Sequence, residues 1–415
     1  MKVLGIIAEY NPFHLGHAYQ IETLKKQTQA DYVIIAMSGN FVQRGAPALV
    51  EKFTRTHMAL TGGADLVLEL PVLSATASAE YFALGGVSLL NNTGVVTHLG
   101  FGAEHANLSL LQQISDALIE NPPELEIQLK SYLKEGLSFP SARAKALTSV
   151  LSTMALQGTE DISCVLASPN NILGIEYLKA LASLSSPIVP VPLSRKGQGY
   201  HDTDIAEGFC SASAIRAHLK NEAEILTANT FVASSMPAAC FDLLQNYPHP
   251  FLFEDDFSQL VHYKLLTEDS ATLATYADSS IDLANRMYHG KHSFASWTQF
   301  CELLKAKNTT YTRISRLLLH MILNLKSEDY VSFNGTMQIP YLRVLGFRKS
   351  SAPLLSAIKE NATVPLLTSV SNGEKQLSFK AMELLQKDIT ASDIYHMMFA
   401  TNDTLNDYRH PLVIL

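Results

Sequence analysis

The stretch Lys2 to Gln20, KVLGIIAEYNPFHLGHAYQ, constrains the fold more than any other part of the chain. Val3, Leu4, Ile6, Ile7 and Ala8 form a short apolar run with no polar alternation. Such a run, bounded by turn residues, fits a strand buried on both faces, as in a parallel sheet. Asn11-Pro12 ends it. His14-Leu15-Gly16-His17 follows, and a helix is expected to begin near Gly16. Residues three apart share one face of a helical turn, so His14 and His17 stand together. The free N–H groups of a first turn and the positive end of the helix dipole favour an anion there. Two imidazole donors added at that point make a phosphate cradle without a long glycine-rich loop. Gly16 leaves the backbone open to close approach. His-x-x-His is also a fragment of some zinc sites, but no third ligand stands near this one.

The length of 415 residues allows two or three domains, and 47% hydrophobic against 17% charged residues supports a sizeable core and argues against disorder. No apolar run is long enough to span a bilayer, and the N-terminal run leads straight into the motif with no cleavage pattern, so neither membrane span nor signal peptide is expected. Cys164, Cys210, Cys240 and Cys301 are widely spaced, which suits buried thiols of a cytoplasmic protein and no metal framework. The net charge of −8 excludes a uniformly basic nucleic-acid binder. Charge is nonetheless uneven: Arg286 to Lys349 holds ten Lys or Arg and three acids. A basic island in an acidic protein suits an anionic partner docking at one place, and equally a solvated basic helix face.

Asp31 to Met37 reads as a second buried strand ending in Ser38-Gly39. In open α/β sheets ligands bind at the carboxyl ends of strands, so Ser38, Gly39 and Asn40 should fall near the site. The loop beyond carries Gln43, Arg44, Lys52 and Arg55. We take Ser38, Gly39, Gln43 and Arg44 as substrate candidates, and Lys52 and Arg55 as cations for an RNA. His57, on the helix expected over Glu51 to Thr61, reads as a packed residue. Further strands are expected over Ala64 to Leu70, His98 to Gly102 and Ile188 to Leu193. Gly102 could let a base or ribose lie against backbone, or be a plain turn glycine. Leu108 to Leu156 reads as a helical insertion, broken near Asn121-Pro122-Pro123 and Phe139-Pro140. Ser168-Pro169 is a helix start, with Asn170 and Asn171 either capping it or facing a ligand. Arg195, Lys196 and the loop GQGYHDTD suit a triphosphate. Ser211 to Arg216 starts another helix, read either as a phosphate contact or as a capped surface helix.

Strand and helix thus alternate over 1–220, which predicts a doubly wound parallel-sheet α/β domain. Over 221–415 the apolar period becomes helical, which predicts a mainly helical second domain holding the basic island. There Lys291, Arg313, Arg316, Arg343, Arg348 and Lys349 are the candidates for RNA contact. Arg343, Arg348 and Lys349 lie beside aromatic residues in YLRVLGFRK, a composition that suits RNA backbone and bases.

HLGH after a buried strand resembles the HIGH-type signature of the nucleotidyltransferase superfamily. EYNPFHLGH, MSGNFVQRGAPALVEKFTRTHMAL, GADLVLELP, SPNNILGIEYLKAL, SRKGQGYHD, SASAIR, TYTRISRLLLH and YLRVLGF, in this order, resemble the bacterial tRNA(Met) cytidine acetate ligase family across nearly the whole chain. The resemblance implies a nucleotidyltransferase-like fold with an appended helical part. It implies that ATP and acetate give acetyl-adenylate and pyrophosphate, and that the acetyl group passes to N4 of the wobble cytidine of elongator tRNA(Met). It implies ATP contacts at Ile7, Ala8, Glu9, Tyr10, Asn11, Pro12, Phe13, His14, Leu15, Gly16, His17, Ala18, Tyr19 and Gln20, and at Gly102, Arg195 and one or both of Asn170 and Asn171.

The chemistry of the residues agrees. Nucleotidyl transfer depends on positioning and charge stabilisation. His14 and His17 are the expected catalytic pair, with Arg195 and Arg216 neutralising pyrophosphate. Magnesium is expected to arrive with ATP, so no protein metal cage is required. No obligate protein partner is implied. Two other readings are an adenylyltransferase acting on a small phosphate-bearing metabolite and a non-catalytic RNA-binding protein. The first leaves the helical half unexplained, and intact His14, Gly16 and His17 argue against the second.

Overall fold

The computed structural model describes residues 1–137, 139–153, 162–195, 210–221, 230–331, 338–399 and 406–415. The N-terminal run forms β1 (Val3–Ala8), and the following helix α1 spans Leu15–Thr28. Next come β2 (Tyr32–Ser38), a small hairpin of β3 (Phe41–Val42) and β4 (Ala46–Pro47), and α2 (Lys52–Thr61). The order continues with β5 (Leu66–Leu70), α3 (Ala79–Asn92), β6 (His98–Ala103), α4 (Pro169–Ser183) and β7 (Val189–Ser194). Later elements that matter here are α5 (Ala212–Asn221), α6 (Tyr311–Ile322), β8 (Leu342–Phe347), β9 (Leu366–Leu367), α7 (Phe379–His396) and β10 (Val413–Ile414).

The five strands expected from the sequence run parallel in the order β5-β2-β1-β6-β7. The strand order reverses at β1, so the chain leaves β1 and β6 in opposite directions. In sheets of this kind such a switch point forms a crevice at the carboxyl ends of the strands, where ligands bind. Apolar residues on both faces explain the burial: all five residues of β5 are buried. Helices cover the sheet, and the three insertion helices (Leu108–Glu120, Pro123–Lys134, Phe139–Thr153) add Leu111, Ile114, Leu147 and Val150 to the core beside α4.

The region beyond residue 221 departs from the expected pattern in one respect. Leu342–Phe347 is a strand, antiparallel to β5, and β9 and β10 pair with it in parallel. The sheet is therefore mixed, and the C-terminal part returns to it. The helical unit is built on a second core, which holds Trp297, Phe300, Leu317 and Leu318 and also takes in Phe41, Val72 and Leu73 from the sheet part. Ile314, Leu317, Leu318 and Ile322 form the expected buried stripe of α6. That unit is bolted to the carboxyl edge of the sheet by polar bonds. Tyr395 donates to Ala48 O at 2.9 Å, and Asp388 accepts from Val72 N at 2.6 Å. No helix among the described residues is long and apolar enough to cross a membrane.

Candidate nucleotide site

His14 is the N-cap of α1, and its ring stacks on that of His17 with centroids 3.6 Å apart. Gly16 N–H donates to His14 Nδ1 at 3.1 Å, and His14 N–H donates to His17 Nδ1 at 3.3 Å. Both Nδ1 atoms accept, so the neutral rings carry their protons on Nε2. Burial lowers the ionisation of both: His14 is pushed down to about 4, by burial and then by the charge of Arg195. His17 falls well below its ordinary value through burial, then His14, then Arg195. The pair therefore presents two neutral Nε2–H donors at a helix N-terminus.

The residues before α1 brace the pair. Tyr10 adopts a left-handed φ of 49° and meets Phe13 and His17 edge-on, with centroids 4.9 and 4.8 Å away. Asn11 Oδ1 accepts from Leu49 N at 2.7 Å, and Asn11 O accepts from Arg216 at 2.7 Å. Arg216 thus reaches from the start of α5 into the turn after β1. Ser211 caps that helix, accepting from Ala214 N at 3.2 Å. At the end of β6, a Cβ on Gly102 would lie 3.4 Å from the Arg195 stem and 3.9 Å from the Gln20 amide. Three candidates from separate segments therefore meet at one place. Arg195 is exposed there, immediately after β7. Lys196 and the GQGYHDTD loop lie outside the described residues.

Asn170 and Asn171 are used in a way that sequence reading left open. Ser168 is the N-cap by position, but its hydroxyl donates to Cys164 O at 2.8 Å. The cap comes from Glu104, which accepts from Asn171 N at 3.2 Å and from Asn170 Nδ2 at 2.6 Å. Asn171 Oδ1 accepts from His105 N at 3.1 Å, while its buried Nδ2 has no partner among the described residues. Glu104 was missed as a site residue; its only local signal is its place two residues past Gly102.

Several cations expected to meet RNA lie in the core instead. Lys52 is fully buried, with its ammonium 2.7 Å from Glu69 Oε1 and 2.7 Å from Asp407 Oδ2. Arg343 is buried beside the same two acids, at 2.8 and 2.9 Å. Arg55, also fully buried, donates to Val50 O at 3.0 Å, to Glu9 O at 2.6 Å, to Ser38 O at 3.1 Å and to Gly39 O. It ties β1, β2 and the loop before α2 together. Ser38 and Gly39 are buried beneath this guanidinium. Arg316 makes a two-pronged bond to Asp278 at 2.8 and 2.9 Å, and Arg313 Nε donates to Asp278 O at 3.0 Å. Arg348 donates to Leu60 O. Lys291 is half-buried over the Tyr288 ring at 4.0 Å, and Lys349 is exposed. Arg313, Arg316, Arg343 and Arg348 of the basic island are thus answered by acids and carbonyls from outside its own segment.

No group of three or more His, Cys, Asp or Glu among the described residues could hold a metal ion. Glu104 already uses both carboxylate oxygens. The donors that remain at the crevice are imidazole N–H and guanidinium groups, which suit phosphate.

A buried β1, a histidine-capped α1 and a switch-point crevice define a nucleotidyltransferase site. The profile of the HIGH Nucleotidyl Transferase family matches residues 1–409. The chain belongs to that family and, within it, to the tRNA(Met) cytidine acetate ligases. It is 38% identical to the tRNA(Met) cytidine acetate ligase of Thermoanaerobacter sp. (strain X514), covering 100% of both chains. It is 39% identical to the protein of that name from Clostridium perfringens, covering 98% of both. Apo TmcAL from Thermotoga maritima superposes with a TM-score of 0.92 at 33% identity over 100% of both chains. The same protein bound with alpha-thio ATP gives a TM-score of 0.90 at 32% identity, again over 100% of both chains.

Proposed function

We propose that this chain joins acetate to ATP and passes the acetyl group to N4 of the wobble cytidine of elongator tRNA(Met). The observation that carries the reading is the His14–His17 pair, whose backbone-fixed Nδ1 atoms leave two Nε2–H donors at a helix N-terminus. Acetate oxygen attacks the α-phosphorus, and the bond from that phosphorus to the bridging oxygen breaks. Pyrophosphate leaves with the electron pair. His14 and His17 donate to the phosphate oxygens as charge shifts, while Arg195 and Arg216 offset the charge of the leaving group. Donors fixed in advance and partly shielded from water are strong contributors to such steps. Magnesium held by the phosphates would supply further charge neutralisation.

In the second step N4 attacks the acetyl carbonyl, the bond to the AMP oxygen breaks, AMP departs and one N4 proton passes to solvent. An exocyclic cytosine amine is a poor nucleophile, so the mixed anhydride and orientation supply the drive. The wobble base lies in a single-stranded loop and can be splayed without opening a duplex. The exposure of Lys349 and the partial exposure of Arg313 and Lys291 support these three as contacts for that RNA.

ATP–pyrophosphate exchange without RNA, with and without acetate, tests the first step. Exchange should appear only with acetate. Mass analysis of tRNA(Met) incubated with ATP and acetate should then show one acetyl group on the wobble cytidine. Exchange that ignores acetate, both with and without tRNA, would overturn the reading.

A further inference from the structure

The β3–β4 hairpin joins the nucleotide crevice to the helical unit. On one side Gln43 N–H donates to Glu9 Oε1 at 3.0 Å, directly after β1. On the other, Gly45 O accepts from Ser315 Oγ at 2.7 Å, and that hydroxyl accepts from Trp297 Nε1 at 2.9 Å. Gly45 has a φ of 75°, and a Cβ there would collide with the backbone of Ser315 and Arg316. Only glycine lets the tip lie this close to α6. The tip is therefore fixed from both sides, and Trp297 and Ser315 are both buried.

Arg44 stands between these two anchors. It is exposed, and among the described residues it makes no hydrogen bond or ion pair. Its charge nevertheless reaches the Arg216 guanidinium. Burial lowers the ionisation of Arg216 first, Glu9 and Glu254 oppose that, and Arg44 adds to it. Glu9 and Glu254 thus act on Arg216 more strongly than Arg44 does, but among the described residues neither arginine has a carboxylate in direct contact, which leaves both guanidinium groups free to take phosphate. Arg216 and Arg195 are placed for the triphosphate. Arg44 adjoins Gly45, which lies against the first turns of α6, where among the described residues the Arg313 side chain hydrogen-bonds through its Nε alone. A flexible loop would gain little from one exposed arginine. A buttressed one fixes a distance.

We propose that Arg44 grips a backbone phosphate of the RNA substrate beside the base to be modified, so that the hairpin sets the reach of that base to the crevice. This rests on the function proposed above, but its test can be read separately. Equilibrium binding of tRNA(Met) to the full chain should weaken about tenfold in Arg44→Ala and further in Arg44→Glu, with Arg44→Lys between Arg44→Ala and the parent. The slope of log affinity against log salt should fall by about 1 in Arg44→Ala, as expected for one lost phosphate contact. In turnover assays, transfer to tRNA should fall at least ten times more than acetate-dependent exchange. Unchanged affinity and salt slope would overturn the proposal. So would equal losses in exchange and transfer, which would place Arg44 on the triphosphate. A parent protein that binds tRNA with an Arg44-dependent salt slope, yet never acetylates it, would overturn the proposed function and leave the phosphate grip standing.

Discussion

Two charged regions lie near the carboxyl edge of the same sheet and are built on opposite principles. In the network under β5, each cation has carboxylate partners: Lys52 and Arg343 share Glu69 and Asp407, and all four are buried. In the crevice after β1, Arg195 and Arg216 have no carboxylate in direct contact among the described residues, and two histidines are held neutral. In the network two cations face two carboxylates, so its charges balance without a ligand. The crevice presents donors and cations that suit an anion. What separates structure from function here is the partner of each residue, not its type.

The largest effect should come from breaking the network. Lys52→Met leaves two carboxylates facing Arg343 alone, and removing one partner of a buried pair typically costs about 3–5 kcal/mol. Urea denaturation should show that loss, and a change under about 1 kcal/mol would contradict the assignment. A slightly smaller effect, of another kind, is expected at His17→Ala. Acetate-dependent exchange should drop about 10²–10³-fold, as when one fixed transition-state donor is removed. Its loss of stability at pH 7 should stay near the roughly 1 kcal/mol of a lost helix cap, well short of that of Lys52→Met. A fall in stability like that of Lys52→Met would place His17 with the network instead.

Acid separates the two regions next. Burial, and then the charge of Arg195, pushes His14 down to about 4 in the folded chain, against about 6.5 for a free imidazole. Above 6.5 both states are neutral there and nothing is lost. As pH falls from 6.5 to 4, the unfolded chain takes a proton that the folded one refuses, so stability declines by about 1.4 kcal/mol per pH unit. His14→Gln should be less sensitive to acid by that slope. Equal acid sensitivity in the two proteins would rule out a buried neutral His14. The smallest effect is expected at Lys349→Ala, where an exposed side chain should cost no more than about 0.5 kcal/mol of stability by thermal melting.

The parallel strands were legible in the sequence because a strand buried on both faces must be apolar on both. The histidine cradle was legible because its parts are adjacent in the chain. β8 was not. LRVLGF contains Arg343, which reads as a surface cation, and the acids that neutralise it are Glu69 and Asp407, far away in sequence. The same holds for Lys52, and for Arg316, whose answer is Asp278. Local pattern reports which residues carry charge. Long-range pairing decides which of those charges remain available. The hairpin escaped notice for a different reason: its strands are two residues each, too short for any period to register.

The most direct measurement of the account is the ATP-induced shift in unfolding free energy of the parent chain, His17→Ala and Lys52→Met. Ligand at 100 times its Kd stabilises a protein by about 2.7 kcal/mol. That shift is expected in the parent chain. In His17→Ala a smaller loss of stability than in Lys52→Met is expected without ATP, and most of the shift should be lost. Lys52→Met should start from a much lower stability and keep the shift while folded. The reverse pattern, with His17→Ala unstable but fully responsive and Lys52→Met stable but unresponsive, would contradict the division between a charge-balanced network and an anion-binding cradle.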